Sequence, residues 1–175
     1  GPWGNVGVDQ IVFTDTPQGV AKALAEEADF GTMCLGLLGT DPKADFSELD
    51  VPGSPDPDKL FPAARESQAG ADSAAKPFGE RLIGALGRKL ALKATASAKV
   101  TFIVAWHMPN LQLRLLPEGR DYARRFPSAG AVAQYVSKNF ARLSGETRLW
   151  HDTWYDSTLP YWFLDRTFLN TSILA

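Results

Sequence analysis

Two histidines are the first side chains to consider for chemistry, because imidazole acts as a metal ligand and as a general base near neutral pH. His107 and His151 are the only histidines, and neither has a second ligand at the spacing typical of a zinc site. His151 is followed by Asp152, but adjacent side chains on a helix point about 100° apart. The sequence favours a solvated pair, and a small hydrolase that uses either residue gains no support from this spacing.

Carboxylates are numerous, and glycosidases need two of them that face the same sugar bond. Asp152 and Asp156 are four residues apart and would share one face of a helix that extended that far. Pairs at this spacing are usually solvated, so the sequence indicates no catalytic pair within this chain. It likewise indicates no metal site and no cofactor.

A single cysteine and a group of glycines also carry little chemistry. Cys34 is the only cysteine, which excludes an intrachain disulfide and a cysteine-based zinc site, and its apolar neighbours indicate a core position. Gly79, Gly84 and Gly87 match neither a phosphate-binding loop nor a dinucleotide-binding fingerprint. We interpret them as a turn that leads into a strand containing Leu90.

Five tryptophans offer flat aromatic faces, which pack well on the apolar faces of sugars. Trp106 and His107 end a predicted strand, where they could line a cleft or bind a sugar. A structural hydrogen bond from His107 to a neighbouring loop fits the sequence better than a role in a cleft. The other candidates fall on helical stripes and are assigned to packing between domains: Trp150, Trp154, Trp162 and Phe168.

The composition is that of an ordinary globular protein. Of the 175 residues, 45% are hydrophobic and 22% are charged, and the net charge is −2. The chain therefore has no broad basic field for nucleic acid, and no apolar run approaches the roughly 18–20 residues that span a bilayer. We expect a soluble protein. The N-terminal residues lack the pattern of a signal peptide, which leaves a cytoplasmic and an exported location both open.

The first two thirds of the chain have the alternation of β-strands. In VGVDQIVFT, residues 6–14, Val6, Val8 and Val12 fall on one face and Ile11 and Phe13 on the other. A second stretch, apolar and bracketed by glycines, surrounds Cys34. Leu90 and Leu92 alternate with lysines in a third. Residues 100–106 form a fully apolar strand that we place in the middle of a β-sandwich, between other strands. Residues 40–77, rich in proline and alanine, are interpreted as a long loop.

The last third has the pattern of helices. From Ser128, a favourable N-cap, apolar or long side chains recur every three to four residues as far as Trp154, which predicts one long helix with a continuous apolar stripe. Thr158 and Pro160 then begin a second helix. No stop signal follows it, so we expect its apolar face to be covered by further polypeptide of a longer protein.

Four stretches carry a resemblance to a known family. Residues 85–110 (ALGRKLALKATASAKVTFIVAWHMPN) contain an Ala-Trp-polar-x-Pro signature at Ala105–Pro109. Residues 28–39 (ADFGTMCLGLLG), 119–136 (GRDYARRFPSAGAVAQYV) and 150–175 (WHDTWYDSTLPYWFLDRTFLNTSILA) complete the set. Taken in chain order, the four stretches resemble the N-terminal β domain of glycoside hydrolase family 116 and its passage into the catalytic domain. That family includes the non-lysosomal glucosylceramidases and bacterial β-glucosidases.

The resemblance implies a β-sandwich domain followed by an (α/α)6 barrel. Residues 1–116 would then be the C-terminal part of the sandwich, residues 117–157 a linker helix, and residues 158–175 the first helix of a truncated barrel. Family members are retaining enzymes whose nucleophile and general acid/base are carboxyl groups on the barrel. The catalytic pair would therefore lie beyond Ala175.

Two functional hypotheses follow for this segment. In the first, it supports the barrel of an enzyme that acts on a β-linked glucoside, its partner is the remainder of that enzyme, and the 175 residues alone are inactive. In the alternative, it is a non-catalytic β-sandwich module that binds a carbohydrate or a partner protein. The two differ in solution, because a truncated piece would expose its last apolar helix and aggregate.

Overall fold

In a computed structural model of the chain, the described residues are 7–15, 24–49, 73–77, 80–111 and 119–171, without the side chains of residues 168–171. The chain divides into two compact units, one formed by Asn5–Lys138 and the other containing Asn139–Ala175. Antiparallel sheets come first along the chain and helices follow them. This order confirms the β-rich domain with subsequent helices that the sequence predicts.

The strands of the described residues form two antiparallel sheets. In chain order they are β1 (Val8–Phe13), β2 (Thr32–Leu38), β3 (Asp45–Leu49), β4 (Gly84–Arg88) and β5 (Phe102–His107). β1, β2 and β5 form a three-stranded sheet with β2 in its centre, and β3 pairs with β4 in a two-stranded sheet. The predicted strands at β1, β2 and β5 are confirmed.

The helices are α1 (Asp121–Arg125), α2 (Ala129–Tyr155) and α3 (Tyr161–Thr171). The Oγ atom of Ser128 accepts a hydrogen bond from the N–H of Ala131 at 3.2 Å, which confirms Ser128 as the N-cap of α2. The carbonyl of Pro160 accepts the first bonds of α3, from the N–H groups of Phe163 and Leu164. In the parts of the chain that are described, no helix is both long enough and apolar enough to cross a membrane.

The core of the first unit lies between the two sheets. Ile11, Leu37 and Leu86 are buried together, and four partly buried side chains pack against them: Phe13, Leu35, Leu49 and Val100. These residues come from β1, β2, β3, β4 and the segment before β5. Alternation along each strand places them on one side, as expected for sheets that share an apolar layer.

Three details of the predicted strands are wrong. Leu90 and Leu92 lie outside any strand and are 48% and 55% exposed. Gly84 and Gly87, which we interpreted as part of a turn, belong to strand β4, and Gly79 lies outside the described residues. The glycines suit this strand because a Cβ atom at Gly84 would lie 3.0 Å from the ring of Phe13, and one at Gly87 would lie 2.3 Å from the ring of Phe46. A side chain at either position would force the neighbouring aromatic ring to move, so the close packing favours glycine.

The other two differences concern position in the sheets. Among the described strands, β5 is at an edge of its sheet, because it pairs with β2 and the opposite neighbour of β2 is β1. β3 lies within residues 40–77, so this stretch is not entirely a loop. The Asp-Phe-Ser-Glu-Leu sequence of β3 has only two apolar residues, which is why its alternation gives a weak signal.

One face of the three-stranded sheet, here called the closed face, is covered by the first turns of α2. Gly130 is so close to this face that a Cβ atom there would lie 3.2 Å from Cγ2 of Val12, and the N–H of Ala129 donates to Oγ1 of Thr32 at 2.9 Å. The buried residues of α2 are small: Ala129, Gly130, Ala133 and Ser137. Small side chains let the helix approach the sheet more closely than large ones would, so these four residues make the contact. The predicted apolar stripe, which includes Val132 and Val136, is only partly buried.

Candidate functional site

Trp106 and His107 end β5, but the structure places them on opposite faces of the sheet. The side chain of Trp106 is 59% exposed, whereas His107 is 5% exposed. This follows from the alternation of the strand, in which Ile103, Ala105 and His107 are buried and the residues between them are not. The two candidates therefore do not line one site together.

The exposed face of β5 carries a continuous row of large apolar side chains, here called the β5 strip: Met33, Phe102, Val104 and Trp106. Met33 belongs because it is the register partner of Trp106 on β2. Their exposed fractions are 48%, 50%, 61% and 59% in that order. The β3–β4 sheet covers the neighbouring part of the same face, where Leu37 is 1% exposed, but not the edge at β5. An apolar row of this kind is typical of an interaction surface.

His107 lies in a packed environment on the closed face. Its ring meets the ring of Tyr122 edge-on, with centroids 5.5 Å apart. The Tyr122 hydroxyl donates to the carbonyl of Met108 at 2.8 Å and accepts from the N–H of Met108 at 3.0 Å, which ties α1 to the end of β5. Nε2 of His107 has no hydrogen-bond partner within the described residues, so the expected bond to a loop is not formed by that nitrogen.

A cluster that sequence reasoning missed joins the two sheets: Asp9, Asp45 and Arg88. Asp45 and Arg88 are register partners across β3 and β4, and Nε of Arg88 donates to Oδ1 of Asp45 while Nη2 donates to Oδ2 at 2.7 Å. The same guanidinium donates to the carbonyl oxygens of Leu38 and Gly39 at the end of β2. The side chains of Arg88 and Asp45 are 16% and 7% exposed, so the pair is well shielded from solvent.

The electrostatics of this cluster separate its two carboxyl groups. Hydrogen bonds from Arg88 hold the pKa of Asp45 below its ordinary value, with further help from the backbone N–H of Asp41. Burial raises the pKa of Asp9, and the hydrogen bond and charge of Asp45 raise it further. Pairs of carboxyl groups with opposite shifts occur at catalytic sites, but here Arg88 donates to both oxygens of Asp45 and holds that carboxylate in place. The arrangement therefore suits a structural joint.

One signal in the sequence points to this cluster. Asp9 alternates with Ile11 and Phe13, so it occupies a core-facing position of β1, and its register partner is the buried Leu37. An acidic residue in such a row needs a polar partner from another element, because an unpaired buried charge is costly. The sequence alone does not say which of many cations supplies it.

The helical candidates are mostly exposed. Trp150 is 46% exposed and Trp162 is 67% exposed, Trp154 is partly buried, and the side chain of Phe168 lies outside the described residues. Their assignment to interdomain packing stays a prediction.

The geometry of the His151 and Asp152 pair differs from our expectation. Nδ1 of His151 and Oδ1 of Asp152 are 3.0 Å apart, although we expected adjacent side chains to diverge. They meet because both side chains bend toward each other in solvent, with 56% and 53% exposed, and the His151 ring stacks on Tyr155 at 4.5 Å. The predicted solvated character of the pair is confirmed.

Cys34 occupies the core position that its neighbours predict. It is 2% exposed, and burial raises the pKa of its thiol, which disfavours the reactive thiolate. Among the described residues, no three His, Cys, Asp or Glu side chains are grouped so that they could hold a metal ion.

Compared with known proteins, the chain matches no family model, no curated protein and no solved structure at a significant level. The resemblance to family 116 therefore stays a prediction.

Proposed function

We propose that this chain is a non-catalytic supporting segment of a retaining β-glycosidase that acts on β-linked glucosides. Its two sheets would belong to a β-sandwich, and α3 would begin an (α/α)6 barrel that carries the catalytic carboxyl groups beyond Ala175. The family resemblance supplies the reaction class. The observed order of sheets and helices is compatible with this architecture.

The observation that carries the supporting role is the β5 strip. Fully burying one side chain of this kind contributes about 1.5–3 kcal/mol, so four half-exposed members leave a substantial driving force unused. A helical barrel is a suitable cover, because an apolar helix face packs well on the apolar face of a sheet. Support of this type requires no catalytic group from the segment itself.

Two measurements test the supporting role. The 175-residue chain should not hydrolyse an aryl β-glucoside, whereas a polypeptide extended by the downstream coding sequence should. In the extended polypeptide, Val104→Glu should lower the melting temperature and the activity, because it places a charge in the covered strip. Leu92→Glu is the matched control, since Leu92 is 55% exposed and outside the strip. Turnover by the 175-residue chain, or equal effects of the two substitutions, would overturn the proposal.

A second candidate function rests on one member of the strip. The exposed indole of Trp106, beside Met33 and Val104, offers a flat apolar surface on which a sugar ring can stack. A carbohydrate-binding module would then bind cellotetraose in calorimetry, and Trp106→Ala would abolish the binding. Trp162→Ala removes another exposed tryptophan and serves as the control. Absence of binding by the unmodified chain would exclude this candidate for β-1,4-glucans.

A further inference from the structure

We propose that Asp9 and Asp45 share a single proton, and that this proton controls how firmly the two sheets of the first unit are held together. Asp9, Asp45 and Arg88 are here called the carboxyl clasp. The clasp is closed at low pH, when the proton is present, and is weakened at higher pH, when the proton leaves. This inference is independent of the glycosidase proposal.

The geometry places the clasp at the junction of the sheets. Asp9 belongs to β1, whereas Asp45 and Arg88 face each other across β3 and β4. Arg88 also donates to the carbonyl oxygens of Leu38, the last residue of β2, and of Gly39, which follows it. One carboxylate of the β3–β4 sheet and two backbone carbonyls from the end of β2 therefore meet at one guanidinium. A change in their charge acts directly on the contact between the sheets.

The number of charges explains why one proton matters. When Asp9 is protonated, its O–H donates to the Asp45 carboxylate, and the single negative charge of Asp45 balances Arg88. When Asp9 is ionised, a second carboxylate lies close to the shielded Asp45–Arg88 pair, which is repulsive and leaves a net negative charge. The proton thus replaces a repulsion by a hydrogen bond.

Other groups around Asp9 modify this balance but do not reverse it. The hydroxyl of Thr40 hydrogen-bonds to Asp9 and favours its ionised form, and Arg88 attracts the ionised form as well. The charge of Asp41 raises the pKa of Arg88, and the backbone N–H of Asp41 donates to Oδ2 of Asp45. Across the sheet, Asp9 faces Leu37, whose register partner on β5 is Phe102, and neither titrates.

The sign of the pH dependence follows from these shifts. The pKa of Asp9 is raised above its ordinary value of 3.8, so the folded chain holds this proton more tightly than the unfolded chain does. The corresponding stability is present below that ordinary value and is lost as pH rises through the raised pKa. Asp45 has a lowered pKa, so its contribution is lost only as pH falls through that lower value. The clasp therefore contributes most to stability at a pH between the lowered pKa of Asp45 and the raised pKa of Asp9.

The test is the melting temperature of the 175-residue chain between pH 4 and 8, compared with two variants. The unmodified chain should lose about 3 °C as the Asp9 proton leaves. Asp9→Asn should remove this loss, because its amide donates to Asp45 at every pH as the protonated acid does. Asp29→Asn, at an exposed position outside the clasp, should keep the loss.

A local readout separates the clasp from a general effect of charge. After correction for the intrinsic pH dependence of exchange, amide hydrogens of β3 and β4 should open more readily in the unmodified chain at pH 7.5 than at pH 4. In Asp9→Asn they should not. Identical pH profiles for the unmodified chain and Asp9→Asn would overturn the inference, and so would a change of equal size in Asp29→Asn. If Asp45→Asn folds, it should also lose the pH dependence of the melting temperature. If it does not fold, the comparison with Asp9→Asn alone tests the inference.

Discussion

The two faces of the three-stranded sheet are covered in different ways. On the closed face, α2 approaches through alanine, glycine and serine, and its contacts are as short as those within a close-packed core. On the other face, the β3–β4 sheet covers β1 and β2 with large side chains and leaves the β5 strip half exposed. The same sheet thus has one face on which a helix packs closely and one on which the β5 strip stays half exposed.

This difference shows that residue size, not only hydrophobicity, decides which surface is buried. Ala133 is 0% exposed and Val104 is 61% exposed, although valine is the more apolar of the two. A helix can approach the sheet closely only where the side chains at the contact are small, whereas large side chains such as Leu37 are buried where the other sheet covers them. Three predictions test the contrast, from the largest expected effect to the smallest.

The largest effect is expected within the face that β3 and β4 partly cover. Leu37 and Phe102 are register partners, but Leu37 is 1% exposed and Phe102 is 50% exposed. Leu37→Ala should lower the free energy of unfolding by about 3 kcal/mol, because it leaves a cavity in the core. Phe102→Ala should lower it by about 1 kcal/mol or less, since half of the ring is already in water. Urea unfolding measures both, and equal losses would remove the contrast.

An intermediate effect is expected from adding volume on the closed face. Ala133→Leu should destabilise by about 2 kcal/mol, because the helix must move away from the sheet to admit a larger side chain. Val104→Leu adds volume on the exposed strip and should stay within about 0.5 kcal/mol of the unmodified chain. The thermal midpoints of the two variants give the comparison. A tolerated leucine at position 133 would show that the closed face is not tightly packed.

The smallest effect is expected at the beginning of the covering helix. Ser128→Ala removes the hydroxyl that accepts the N–H of Ala131 and should cost about 1 kcal/mol. Ser144→Ala is the matched control within the same helix, where the serine is exposed and bonds only the carbonyl of Ala141. Helix propensity favours alanine there, so this control should be neutral or slightly stabilising. A loss at position 128 no larger than at position 144 would contradict the assigned cap.

The alternation of apolar side chains predicted the strands that are rich in large apolar residues. It failed for β4, whose residues depend on packing against distant parts of the chain. β1, β2 and β5 were recognisable because large apolar residues recur along them, and Ser128 was recognisable as a helix start. β4 was missed because its glycines are selected by the rings of Phe13 and Phe46, which come from distant parts of the sequence. Leu90 and Leu92 had the right pattern for a strand but are 48% and 55% exposed and lie outside the strands.

The candidate site was predicted less well than the fold. The sequence identified Trp106 and His107 as neighbours of interest, and the alternation of β5 separates them. The carboxyl clasp was not predicted, since Asp9 is 36 residues from Asp45 and 79 from Arg88 along the chain. Only the packing of one sheet on the other brings these three charges together.

The sequence by itself determined the local features of this protein: which segments alternate, where the long helix begins, and that its single cysteine is buried. These depend on residues a few positions apart, whose interactions the chain order already specifies. The tertiary structure decided which apolar side chains are covered and which charges meet. That outcome depends on contacts between distant segments, where side-chain volume determines how closely two elements approach.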